Sequence, residues 1–329
     1  MPPKQNSSHD ITGHHHHEIR QQMTLLLDKK MMPQVLLFYG RSGIGKKKLL
    51  RLVTQLAVCE CSPRGCSPSS SSHNTMCQGC HLLQSEIHHD VCWPLILKQD
   101  EHYKKEHSEL IHDHLSSYPS RSDYRIIMLP DVDRFYPRGI NQLLKTLEEP
   151  PPHALILMSS SRIDALLPTL KSRAMKYLVR PLTKDQFTQV MKQKSRHQPT
   201  DKLMSELYRI SSGSVGEALY ILEHQNMFRD LTELIQSREP IWSLSKRVAT
   251  FLEQHPLTTA KLLYGMELTL HRIYQKHLTG SAGQINKEIM ATRRKLLSKY
   301  HRGIKDGHPS LNNHLLIQAW ISLNYLSAE

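Results

Sequence analysis

The sequence predicts an α/β fold built on a parallel sheet and followed by wholly helical segments, and three observations carry that expectation. Residues 40–47 read Gly-Arg-Ser-Gly-Ile-Gly-Lys-Lys, a phosphate-cradling loop complete up to its last position, where Lys47 stands in place of the Ser or Thr that binds magnesium. Apolar runs of strand length and character occur at 35–39, 124–129 and 154–158. From about residue 183 onward, apolar residues recur at helical spacing.

The loop follows Val35-Leu36-Leu37-Phe38-Tyr39 and precedes Leu49, Leu50, Leu52, Val53 and Leu56, so it occupies a strand-to-helix turn. In a working loop of this kind Gly40, Gly43 and Gly45 let backbone N–H groups wrap the phosphates, and Lys46 reaches the β and γ positions. Lys47 offers no oxygen to a metal. The arrangement is that of a nucleotide-binding loop from which one magnesium ligand is missing.

The chain has 329 residues, enough for two or three domains with sizeable cores. Its 43 Lys and Arg against 30 Asp and Glu give a net charge of +13, which suits contact with nucleic acid or an acidic protein surface. The run His14–His17 lies within a helical pattern and is kept in the fold. No apolar stretch has membrane-spanning length and the N-terminus lacks a charged and apolar leader pattern, so a cytoplasmic protein is expected.

In that compartment disulfides are rare, and the six cysteines between Cys59 and Cys92 need another explanation. Cys77-Gln78-Gly79-Cys80 is a C-x-x-C pair of the kind that grips zinc from one short turn. Cys59, Cys61 and Cys66 lie just upstream. The expected ligand set is Cys59, Cys66, Cys77 and Cys80, with Cys61 able to replace one of the first two. Such a site would staple the Ser-rich loop 67–72, which has little apolar content of its own. Cys92, beside Trp93, reads as core packing.

Beyond the strand at 124–129 stands Pro130-Asp131-Val132-Asp133. An active P-loop ATPase ends this strand in an acidic pair, one carboxylate for magnesium and one for the attacking water. Here Pro130 takes the first place and Asp131, one methylene shorter than Glu, the second. Asp133 reads equally well as a functional carboxylate or as merely a solvated turn or helix cap.

Three further segments carry a family resemblance: Asn141-Gln142-Leu143-Leu144-Lys145-Thr146-Leu147-Glu148-Glu149-Pro150-Pro151-Pro152, then Ala154–Met158, then Leu166-Leu167-Pro168-Thr169-Leu170-Lys171-Ser172-Arg173. Over about Ile11 to Leu222 the chain resembles the AAA+ subunits of the bacterial clamp loader of DNA polymerase III. The resemblance implies a RecA-like AAA+ P-loop domain at 1–180 with a zinc module inserted at about 59–80, an α-helical lid at 181–240 and an α-helical collar at 241–329 that holds five subunits in a ring. Two kinds of chain occur in that family, the ATP-hydrolysing gamma/tau kind and the largely inert delta-prime kind. The gamma/tau kind has a sensor arginine in a Gly-Ser-x-Arg segment of the lid; here the segment reads Gly213-Ser214-Val215-Gly216, a delta-prime-like form.

The resemblance also gives Arg173 a role. In the family, the Ser-Arg segment projects an arginine finger toward ATP held by a neighbouring subunit. Its other implications are a zinc ion, partners of the gamma/tau and delta kind in a hetero-pentameric ring, and sliding clamp and primed DNA met through the assembly. Whether ATP is bound at all is left open. Cys59, Cys77 and Cys80 fall where the family's zinc module has them, while its remaining cysteine, expected near Asn74, is absent, so Cys66 or Cys61 must complete the set. The Glu148, Glu149 and proline block reads as an exposed turn, although Arg173 could cap helix carbonyls or pair with Glu148 or Glu149.

Overall fold

A computed structural model of the chain describes residues 16–61, 66, 76–92, 105–135, 137–195, 199–236, 247, 250 and 251. Contacts divide the chain into two compact units, Met1–Lys194 with Gly213–Gly216, and Ser195–Ser212 with Glu217–Glu329. In chain order the first unit runs α1 (His17–Asp28), β1 (Val35–Tyr39), α2 (Lys46–Val58), α3 (Gln78–Gln84), β2 (Val91–Cys92), α4 (Lys105–Ser116), β3 (Arg125–Leu129), α5 (Pro137–Glu148), β4 (Ala154–Ser160), α6 (Pro168–Arg173), β5 (Met175–Leu178) and α7 (Lys184–Lys194). All strands pair parallel in the order β2-β3-β4-β1-β5.

This sheet follows from the apolar runs. Strands buried on both faces read as continuous Val, Ile and Leu, and alternate residues then serve opposite layers. Val35, Leu37, Ile127, Leu129, Ile156 and Met158 join a core with Ile111 and Leu115 of α4, Leu143 and Leu147 of α5, and Leu170 of α6. Leu36, Phe38, Ile126, Met128, Leu155 and Leu157 point to the other layer, against Met23 of α1 and Leu49, Leu50, Val53 and Leu56 of α2. Each fully buried side chain of this size contributes about 1.5–3 kcal/mol relative to exposure, and the sum fixes the register. A one-residue slip of any central strand would exchange its two layers.

Cys92 is buried in the first of these cores, as expected for packing. Trp93 lies outside the described residues. The helices expected at 183–196 and 200–210 are α7 and α8 (Asp201–Ser211). The Thr200 hydroxyl caps α8 by accepting from the Leu203 amide. The second unit continues through α9 (Val215–Glu223), which starts in the first, and α10 (Gln225–Gln236), where Tyr220 makes edge contacts with His224 and Phe228. The helices read from the sequence beyond residue 241 lie outside the described residues, apart from 247, 250 and 251.

One buried carboxylate orders the approach to β3. Asp90 is inaccessible to solvent and accepts from the amides of Ser120, Arg121 and Ser122, from both serine hydroxyls and from the Arg125 guanidinium. Burial raises its pKa, but the hydrogen bonds from the backbone at 120–122 outweigh that and hold it well below the usual carboxylate value of 3.8. Because the folded value is depressed, the stabilisation is complete above the unfolded value and is lost as pH falls below it. Asp90→Ala should therefore destabilise the first unit by about 3 kcal/mol at neutral pH, with the deficit shrinking below about pH 4. Urea unfolding across that range measures it.

Candidate functional site

The P-loop keeps the backbone its glycines were expected to provide: Gly43 and Gly45 have φ of 71° and 96°, in the left-handed region open to glycine at little cost. What differs from an open cradle is where its carbonyls are directed. Lys46, only 5% exposed, donates to the carbonyls of Gly40 (2.9 Å) and Arg41 (2.6 Å) and to the Ser161 hydroxyl (2.9 Å). The Ser42 carbonyl accepts from the Ser214 hydroxyl at 3.0 Å, Gly43 from the Gly216 amide at 2.8 Å, and Ile44 from His16 Nε2 at 3.2 Å. Five consecutive carbonyls thus meet donors from within the chain. Burial holds the His16 pKa below its ordinary value against the raising effect of the Ile44 bond, so the ring is neutral at pH 7 and donates through Nε2.

Gly216 proves to be more than the place of a missing arginine. A Cβ there would lie 2.7 Å from the Cα of Gly43, so the start of α9 touches the P-loop backbone to backbone. Only glycine permits that approach.

At the end of β3 both carboxylates are engaged. Asp131 has φ 54° and ψ 53°, a left-handed conformation that Asp tolerates better than most residues, and its carboxylate meets the Lys47 ammonium at 2.8 Å. Its amide donates to Ser159 Oγ. Asp133 is neither a solvated turn nor a helix cap: its nearly buried carboxylate accepts from Ser160 Oγ, the Ser161 amide and Arg162 Nε. The sequence reading missed Ser159, Ser160 and Ser161, yet a signal was present. An apolar parallel strand that ends in three serines marks the sheet end where ligands of open α/β folds bind.

Arg173 closes α6. Its guanidinium donates to the Thr169 carbonyl at 2.9 Å and to Glu148 Oε1 at 2.8 Å, so both local contacts foreseen for it occur together within the single chain. At 30% exposure the side chain still reaches the surface.

The cysteines gather as their spacing implied. One ligand atom from each of Cys59, Cys66, Cys77 and Cys80 falls within 4.8 Å of all the others. A tetrahedral zinc with Zn–S near 2.3 Å places sulfurs about 3.8 Å apart, and the Cys59 sulfur lies 3.6 Å from that of Cys66 and 3.9 Å from that of Cys77. Four thiols in this arrangement fit a zinc ion. Cys59 follows α2 directly, and Cys77 caps α3 by accepting the Cys80 amide. Cys61, exposed, has its sulfur 3.5 Å from that of Cys66 and is not in the set. Burial, with hydrogen bonds to neighbouring thiols, pushes the Cys66 thiol up to about 12, so a metal must displace protons to bind.

A P-loop after the first strand of a parallel sheet in this order, with the turn at Gly213–Gly216 folded onto it, is the arrangement of a P-loop domain of the AAA+ class. The chain belongs to the family described as DNA polymerase III, delta subunit, which it matches over residues 15–183. It is 27% identical over 192 residues to DNA polymerase III subunit delta' of Escherichia coli K12, covering 58% of this chain and 55% of that one. It is 26% identical over 192 residues to DNA polymerase III subunit gamma of Buchnera aphidicola subsp. Schizaphis graminum, 57% of this chain and 50% of that one. The chain spans about half the length of the curated relatives it matches. A gamma subunit-related protein of Thermotoga maritima shares the fold, with a TM-score of 0.50 and 16% identity over 94% of this chain and 99% of that one.

The cysteine cluster depends on one close approach. A Cβ on Gly79 would lie 2.3 Å from the Val58 carbonyl oxygen, so α3 could not stay against the end of α2. Gly79→Ala should cost about 1–3 kcal/mol of stability and lower the zinc content of the purified chain, read by thermal unfolding and elemental analysis.

Proposed function

We propose that this chain is a non-hydrolysing clamp-loader subunit of the delta-prime kind. It would assemble with subunits of the gamma/tau and delta kind in a hetero-pentameric ring, help place the sliding clamp on primed DNA, and supply Arg173 in trans to ATP on a neighbour. The observation that carries this reading is the internal satisfaction of the phosphate-handling groups: Lys46 spends donors on Gly40, Arg41 and Ser161, and Asp131 is taken by Lys47. Position 47 supplies no oxygen for magnesium, and both carboxylates at the end of β3 are already paired.

The Arg173 role rests on charge and access. A guanidinium stabilises charge developing on a transferred phosphoryl group, and such fingers are worth roughly 10³–10⁵ in rate. Its exposed pair with Glu148 is worth only about 0.2–1 kcal/mol, so a phosphate can compete for it. Zinc, held by Cys59, Cys66, Cys77 and Cys80, would fix the loop between α2 and α3 and take no part in the chemistry. No helix of the described residues is long and apolar enough to cross a membrane. The net charge of +13 accords with an assembly that encloses DNA.

Two measurements decide the reading. Labelled ATP titrated into the isolated chain, followed by a phosphate-release assay, should show no turnover. Turnover abolished by Lys46→Ala would instead make this an active ATPase of the gamma/tau kind. In the reconstituted assembly Arg173→Ala should leave subunit association intact and slow DNA-stimulated hydrolysis at the site it serves by roughly tenfold or more. Unchanged hydrolysis would remove the finger. Serine substitution of Cys59, Cys66, Cys77 or Cys80 should abolish stoichiometric zinc, whereas Cys61→Ser should retain it.

A further inference from the structure

In a P-loop ATPase magnesium joins the residue after the P-loop lysine to the acidic pair at the end of a second strand of the sheet. Here Lys47 stands at the first of these positions and, with Pro130 in the place of the magnesium carboxylate, Asp131 is the acidic residue that remains; the two are joined directly, ammonium to carboxylate, at 2.8 Å. The residues present do not fit the metal. Lys47 has no oxygen to offer, and a cation approaching Asp131 meets a positive charge already in contact with that carboxylate.

We propose that Lys47 is a covalent replacement for the magnesium ion, tying the start of α2 to the end of β3 so that this P-loop keeps its form with neither metal nor nucleotide. The inference rests on the proposed non-hydrolysing reading of the same site and assigns it a positive device where that reading found only an absent ligand.

Three features support it beyond the distance. Asp131 occupies a left-handed backbone conformation, which costs energy for a residue other than glycine and persists where the surroundings impose it. Its amide is anchored on Ser159 Oγ, which fixes that turn at the end of β3. The loop between α2 and β1 is meanwhile held by the donors of Lys46, Ser214, Gly216 and His16 on its five carbonyls. An ion ordinarily recruited with the nucleotide is thereby supplied by the sequence.

The Lys47 side chain is 59% exposed and that of Asp131 22%, so water screens the pair and the effect must be read locally. Hydrogen–deuterium exchange of peptides covering residues 40–50 and 126–134 does so on the isolated full chain, in a cycle of Lys47→Met, Asp131→Asn and the double variant. Each single change should accelerate local opening about two- to fivefold, and the double variant should open no faster than the worse single. The coupling should fade in molar salt. Millimolar Mg²⁺ with ADP should leave wild-type exchange in these peptides unchanged.

Additive effects in the cycle would overturn the proposal, as would Mg²⁺-dependent protection of the wild type with ADP. The cycle reads no hydrolysis, so its failure leaves the Arg173 reading standing. Conversely, partner hydrolysis indifferent to Arg173→Ala would leave the cycle standing.

Discussion

The polar end of strand β4 is the constraint on which the site depends. β4 is buried at all seven positions, and its apolar residues Ala154 to Met158 hold it between β1 and β3. Ser159 and Ser160 stay fully buried at the point where that apolar run stops, and Ser161 follows directly. A buried hydroxyl without a partner costs about 1–3 kcal/mol, so these serines must find groups to bond. They find Asp131, Asp133 and Lys46, three side chains or backbone groups from two different segments, the turn after β3 and the P-loop. The sheet register therefore sets the position of the P-loop lysine and of both acidic residues at once.

From that anchor the closed state of the P-loop follows. A lysine in such a loop has three N–H donors and, buried to 95%, cannot leave them to water. Two go to the loop's own carbonyls and one to Ser161, which pulls the loop onto the end of β4. The next three carbonyls are covered by His16 and by the turn at Ser214 and Gly216. With each net hydrogen bond worth about 0.5–1.5 kcal/mol, the set favours one loop conformation by several kcal/mol over an unconstrained loop. The nucleotide in an active relative would have to supply comparable stabilisation.

Much of the architecture was legible because apolar runs and the glycine-rich loop have a local cause. Val35–Tyr39, the loop after it and the run at 154–158 could only be buried strands and a strand-to-helix turn, and the C-x-x-C at 77–80 announced its cluster. What escaped were contacts made across long separations. Nothing near Gly216 in the chain says that its missing Cβ lets it touch Gly43, and nothing near Lys47 says that Asp131 turns left-handed to meet it. Asp133 was left undecided for the same reason: its partners, Ser160 to Arg162, lie on a neighbouring strand and its following turn. Spacing also could not separate Cys61 from Cys66, since both are upstream of the C-x-x-C and only the return of the chain at Cys77 selects between them.

The local contacts of Arg173 are compatible with the role in trans proposed for it. The guanidinium has five N–H donors in a planar fork, and the contacts to Thr169 and Glu148 occupy one on each terminal nitrogen. The Thr169 bond holds the side chain along its own helix, while the Glu148 carboxylate keeps the charge neutralised when no phosphate is near. With 30% of the Arg173 side chain and 50% of that of Glu148 exposed, water limits what the pair can contribute to stability. A polyphosphate carries more charge than one carboxylate and accepts from the same planar fork, so it would outcompete Glu148 wherever a neighbour presented it. Capping α6 requires only the Thr169 contact, and the partly exposed guanidinium reaches beyond it to the carboxylate at the end of α5.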